Sequence, residues 1–169
     1  MTTTPDPGHT LPGGAVDAAA PAHPDDGSIV WTESRLLGFG PMDRTHEDFY
    51  RVAFDLLRST EASMLEAIDA FEAHAIEHFG QEEQWMRETA FPGGECHFDE
   101  HAAVLASVRE VREAAQVGRI GPAVVHALAE HLFRWFPGHA DYMDSALATW
   151  MSQRQWGGQP VVLRRRVAE

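Results

Sequence analysis

The sequence predicts an all-α protein, an up-and-down antiparallel four-helix bundle entered through an N-terminal arm. Three observations predict it. Four segments carry apolar residues at three-and-four spacing. The breaks between them are short and marked by Gly, Pro, Ser or Thr, which favours antiparallel neighbours. Strand-like alternation is absent, and there is no internal repeat.

Residues 1–27 are rich in Pro, Gly, Ala and Asp and read as a disordered tail. From Ser28 the apolar content rises, and "SIVWTESRLLGFG" reads as an arm that packs without forming a long helix. The first helix is expected at about 42–60, opened by Gly40-Pro41, because Pro suits a first turn. The second is expected at about 62–88, with Met64, Leu65, Ile68, Phe71, Ala75 and Phe79 on its apolar face. The third, about 95–117, carries Val104, Leu105, Val108 and Val111. The fourth, about 122–152, carries Leu128, Leu132, Trp135, Met143, Leu147 and Trp150. Breaks fall at Ser59–Ser63, "FPGGE" and "GRIGP". The bundle is therefore expected over 28–156, with a C-terminal tail at 157–169 whose "LRRR" reads as solvated.

A chain of 169 residues, 44% of them apolar, can build one domain with a real core. Its net charge of −13 argues against nucleic acid or an anionic membrane as partner, since both need basic surface. No stretch approaches the roughly 20 apolar residues that span a bilayer. The N-terminus has no Lys or Arg and no apolar core segment, so no signal peptide is expected. A single cysteine, Cys96, suits a reducing compartment, and a cytoplasmic location and a monomer are the expectations.

Histidine is the unusual residue: ten occur, and only His9 and His23 lie in the tail. "HFGQEEQW" places His78 and Glu82 four apart, and "ECHFDEH" does the same for His97 and His101. That spacing stacks two side chains one turn apart on one helix face. Adjacent antiparallel helices offer ligands at one height when the turn lies midway between them in sequence. The 78/82 and 97/101 pairs have their midpoint just before Phe91-Pro92-Gly93-Gly94. His139 and Asp144 pair with 97/101 about a midpoint inside Gly118–Pro122, and His46 pairs with 78/82 at the edge of the Ser59–Ser63 break. A shared layer is geometrically possible, roughly 14 Å from the second-to-third turn and 25–32 Å from the other end.

Seven residues then converge: His46, His78, Glu82, His97, His101, His139 and Asp144. Five imidazoles and two carboxylates exceed one six-coordinate ion but suit two ions bridged by the carboxylates, with one position open. Any one of these histidines alone reads as a surface residue. As a set they do not, because at about 0.06 per position five prescribed histidines agree by chance on the order of once in a million.

The segments "MDRTH", "HFGQEE", "FPGGECHFDEH" and "HADYMD" resemble the hemerythrin family, particularly its bacterial members, in order and spacing over roughly residues 29–152. The resemblance implies that His97, His101 and His139 hold one iron and that His46 and His78 hold the other. It further implies that Glu82 and Asp144 bridge the two irons together with an oxo or hydroxo group. Dioxygen is then expected to bind reversibly at the open position of the two-histidine iron, for storage, delivery or sensing. Azide and nitric oxide are expected as alternative ligands. Phe79 and Trp135 match apolar positions beside the ligands and are expected to keep the pocket dry.

One spacing departs from ideal geometry. His139 and Asp144 are five apart, about 140° around an α-helix. Pro137 has no N–H, which promotes a kink, and a wide π turn between Pro137 and Asp144 would align the two side chains. Of the remaining candidates, His74 reads as a packed or partly exposed polar residue and His126 and His131 as solvent-facing. Cys96 reads as a semi-buried thiol, and the methionines and tryptophans as core filler.

The principal rival is a di-iron oxidase, peroxidase or nitric oxide reductase using the same centre. A carboxylate-rich ferritin-like site would show Glu-x-x-His pairs, and no histidine here has Glu three residues before it. A zinc hydrolase is weaker, since His-Glu-x-x-His does not occur. A metal-free helical interaction module is the third class, and it would purify without metal.

Overall fold

The computed structural model describes residues 31–155. The expected disordered tail at 1–27, the start of the arm, Trp156 and the C-terminal tail lie outside the described residues. The arm runs from Trp31 through a short 3-10 turn, Glu33–Arg35. Helix α1 spans Gly40–Leu57, α2 Met64–Thr89, α3 Gly94–Gln116 and α4 Pro122–His139. Five residues of π-helix, Ala140–Asp144, join α4 to α5, Ser145–Gln155, so the fourth rod of the bundle runs to residue 155. Among the described residues there is no strand. Each helix packs beside its neighbours in sequence, and α1 closes the bundle against α4.

Local chemistry explains the boundaries. Helix α1 begins at Gly40, two residues before the expected start at about 42, with Pro41 in its first turn. Asp43, in the same turn, accepts hydrogen bonds from the Leu37 and Gly38 amides at 2.7 and 3.2 Å, tying the arm to the helix start. The Ser63 hydroxyl accepts the Thr60 amide at 2.9 Å just before α2. Helix α2 ends with Ala90 in the left-handed region at φ 50°, and the Phe91 amide returns to the Met86 carbonyl at 2.9 Å. The left-handed turn thus begins before the glycines of "FPGGE".

The core is divided in two. The larger cluster includes Phe49, Leu56, Ile68, Phe71, Val108, Leu132 and Phe136. The smaller one joins Phe39, Met42, Met86, Leu147 and Ala148, with Trp85, Phe91 and Phe98 packed against it. On each of α1, α2 and the fourth rod the buried polar residues fall in the gap between the clusters, with the short apolar plug on the side of the α2–α3 turn. One expected core residue is misplaced: Leu65 is 38% exposed, because Met64, Ile68, Phe71 and Ala75 define the inward face and Leu65 stands beside it.

Candidate metal centre

The layer between the two apolar clusters contains all seven residues singled out by spacing. His46 comes from α1, His78 and Glu82 from α2, His97 and His101 from α3, His139 and Asp144 from the two ends of the π segment. None is more than 4% exposed, which is extreme for such polar groups and demands a reason. The π segment supplies one geometric requirement: its wide turn brings residues five apart onto the same side of the rod.

Each ring points its Nε2 inward, and the two carboxylates divide their oxygens between two groups of rings. Glu82 Oε1 lies 3.0 Å from His78 and 3.7 Å from His46, while Oε2 lies 3.3 Å from His101 and 3.5 Å from His97. Asp144 Oδ2 lies 3.2 Å from His46, and Oδ1 lies 3.0 Å from His97 and 3.3 Å from His139. The Nε2 of His139 is also 3.1 Å from that of His97 and 3.2 Å from that of His101. Two overlapping sets result. Glu82, His97, His101, His139 and Asp144 could hold one cation, and His46, His78 and Glu82 a second.

The electrostatics are those of a cavity built for positive charge. Burial alone would lower His46 and His97, but the carboxylates of Asp144 and Glu82 beside them override it and push both up to about 9. Burial would raise the Glu82 carboxyl, and the neighbouring His78, His101 and His46 hold it well below the usual range. Asp144 is likewise held down by His139, His46 and His97, against its own burial and the charge of Glu82. His101 is lowered, chiefly by burial. Several inward atoms still lack a hydrogen-bond partner: His46 Nε2, Glu82 Oε2 and both Asp144 oxygens. Each such group costs roughly 1–3 kcal/mol when left unpaired. A pair of cations would satisfy them together, so the donor set fits a dinuclear metal centre.

The aromatic surroundings differ from expectation in detail. Phe79 stacks on His101 at 4.0 Å and Trp135 lies tilted against His139 at 4.5 Å, so both pack on the side of the three-histidine set. The wall beside His46 and His78 is made by Phe49 and Phe136, which stack on each other at 4.0 Å, with Phe136 edge-on to His46 at 5.0 Å. Trp31 of the arm adds an edge contact to His46 at 6.3 Å. Phe49 and Phe136 lie three residues from a ligand on its own helix face, and that spacing could have identified them.

The sequence reading also passed over Glu100, Glu83 and Asp43. Glu100 and Glu83 directly adjoin the ligands His101 and Glu82 in sequence, and their contacts to His139 and His101 cross between helices. His74 is half-buried, with its Nε2 unpartnered and its ring 5.6 Å from that of His78. Burial and the neighbouring His78 push it down to about 4, so it is neutral at neutral pH. Two expectations need correction. His126 is half-buried rather than solvent-facing and bonds the Ser59 carbonyl at 2.8 Å, closing the α1–α2 connection against α4. Cys96 is exposed rather than semi-buried, because its neighbour His97 takes the inward direction. His131 is exposed as expected.

The chain is similar to known proteins in sequence and in fold. The sequence profile of the "Hemerythrin HHE cation binding domain" matches residues 38–151. A bacteriohemerythrin from Ralstonia nicotianae (strain ATCC BAA-1114 / GMI1000) is 39% identical over 126 residues, covering 75% of this chain and 90% of that protein. A crystal structure of a leucine-to-tyrosine hemerythrin mutant has the same fold, with a TM-score of 0.64 at 17% identity over 70% of this chain and 96% of its own. A leucine-to-phenylalanine mutant structure matches equally, at TM-score 0.64 and 18% identity over the same shares.

Proposed function

The chain belongs to the hemerythrin family, and from that premise we propose that it binds dioxygen reversibly at a pair of iron ions. His97, His101 and His139 would hold one iron and His46 and His78 the other, with the carboxylates of Glu82 and Asp144 shared between the two groups. The observation that carries this reading is the division of the two carboxylates, each offering one oxygen to each group of histidines. With two protein histidines against three, the open position falls on the iron held by His46 and His78. The iron pair, when bound, supplies that open position and the two electrons that dioxygen borrows and returns.

The remaining residues govern what else reaches the site. Phe49 and Phe136 close the His46 side with stacked apolar rings, and Phe79 and Trp135 cover His101 and His139. These walls limit water and protons, whose access favours irreversible oxidation. His74 is neutral at neutral pH and brings no acidic proton toward His78. Five neutral imidazoles with only two carboxylates stabilise high-valent iron poorly, which favours binding over oxygen activation.

The test begins with elemental analysis of freshly purified protein, with about two irons per chain expected from the ligand count. Protein reduced anaerobically and then exposed to air should develop a visible absorption band. The band should fade on deoxygenation and return with air, and azide added to the oxidised protein should give a related band. Stoichiometric hydrogen peroxide release, or sustained turnover with an electron donor, would move the assignment to an oxidase or peroxidase.

A further inference from the structure

Each of the five inward-facing histidines has a second ring nitrogen turned away from the centre. A neutral imidazole that binds metal through Nε2 carries its proton on Nδ1, and the partner of that N–H fixes tautomer and orientation. The five rings differ at this atom. The Nδ1 atoms of His46, His78 and His97 are buried without a hydrogen-bond partner. His101 Nδ1 stands 3.6 Å from Glu83, too far for a hydrogen bond, and Glu83 is instead engaged by Arg87 at 2.6 Å. Among the described residues, only His139 of the five has a close partner at this atom. Its Nδ1 lies 2.9 Å from Glu100 Oε2, and the same oxygen accepts the Trp135 indole N–H at 3.1 Å.

The contact is a clamp across two helices. Glu100 stands on α3, whereas Trp135 and His139 are one turn apart on α4 with their rings 4.5 Å from each other. The indole N–H holds the carboxylate in place, and the carboxylate orients the imidazole. Glu100 lines a groove between α3 and α4, its side chain 41% exposed, so ionisation costs little there.

Resting on the reading that the cluster holds metal, we propose that Glu100 is a positioning residue. It fixes His139 in the Nδ1–H tautomer with Nε2 turned inward, its carboxylate held in place by the Trp135 indole. The consequence is an inequality between the two positions: the three-histidine position binds a divalent cation more tightly.

Three variants test this on the full chain. Glu100→Ala removes both acceptor and charge, Glu100→Gln keeps an acceptor without charge, and Trp135→Phe keeps the ring but loses the indole donor. Two readouts are needed: the His139 tautomer in the metal-free protein by long-range nitrogen–proton NMR, and stepwise cobalt(II) affinity by chelator competition. In Glu100→Ala the Nδ1–H tautomer should give way to a mixture, and the tighter cobalt step should weaken by about 10–100-fold. Glu100→Gln should keep the tautomer and show a smaller loss, and Trp135→Phe should fall between wild type and Glu100→Ala. Either readout staying at its wild-type value in Glu100→Ala overturns the proposal. If that variant does not fold, a wild-type cobalt affinity in Glu100→Gln overturns it. Absence of cobalt binding by wild type would remove the metal reading itself, an outcome distinct from normal wild-type binding with unaffected variants.

Discussion

At the scale of single residues, protons and metal ions compete for the same inward atoms. His46 and His97, pushed up to about 9 by Asp144 and Glu82, are protonated at neutral pH in the metal-free protein. Two imidazolium rings then stand beside two carboxylates, which balances charge without any ion. The linkage follows directly. A histidine whose folded pKa lies above its unfolded value stabilises fully below about 6.5, and that contribution is lost as the pH rises through about 9. The metal-free protein should therefore melt at progressively lower temperature between pH 6.5 and 9. Metal affinity should rise over the same interval, because each bound imidazole must first release its proton. Thermal melts of chelator-treated protein across this range check the first statement. A flat profile would mean that these rings are not held charged by the carboxylates.

At the scale of elements, the π segment decides whether α4 and α5 contribute one ligand or two. Residues five apart diverge by about 140° on an α-helix, and Ala140–Asp144 absorbs the difference as one extra residue in the rod. Tyr142, 83% exposed, contributes little to the core and can be removed. Its deletion leaves the two ligands four apart, the spacing that an ordinary α-helix stacks on one face. The expected product is a regular helix with the metal content of the wild type. Insertion of one Ala after Tyr142 makes the separation six, which a single wide turn does not accommodate, so the Asp144 carboxylate should leave the site and metal content should fall. Full metal content in the insertion variant would show that Asp144 is not needed. The α2–α3 turn holds a comparable local departure, since Ala90 occupies the left-handed region at φ 50°, a conformation more readily taken by glycine.

At the scale of the whole molecule, the polar layer interrupts the core. Seven polar side chains separate the Phe39–Met86–Leu147 cluster from the larger one around Phe49 and Phe136. Every helix of the bundle supplies at least one of them, so any ion they hold also ties the helices together. Metal that binds only the folded chain adds its binding free energy to stability, about 4 kcal/mol at a thousandfold excess over the dissociation constant. For a chain of this size that corresponds to at least about 8 °C. Iron-loaded protein should therefore melt at least about that much above the metal-free form. Coincident melting curves would place the ligands outside a folded binding site. Among the described residues no helix is long and apolar enough to cross a membrane.

Much of this was legible in one dimension. Helical periodicity and short breaks determined four rods, and midpoints between ligand pairs made it geometrically possible for His46, 78/82, 97/101 and 139/144 to lie at one height, because rise per residue converts sequence separation directly into distance. The five-residue spacing of His139 and Asp144, with Pro137 before it, likewise called for the wide turn that is present. Tertiary structure alone decided the rest. Which oxygen of Glu82 faces which histidine depends on side-chain directions set by four helices at once. Glu100 reaches His139 from α3 to α4, and nothing in its own segment distinguishes it. Phe79 and Trp135 cover one histidine group while Phe49 and Phe136 wall the other, because each helix is rotated by packing that no periodicity specifies to within one side chain. The burial of His126 against Ser59 and the exposure of Cys96 and Leu65 have the same origin: a residue at the margin of a helix face is turned inward or outward by its neighbours across the interface.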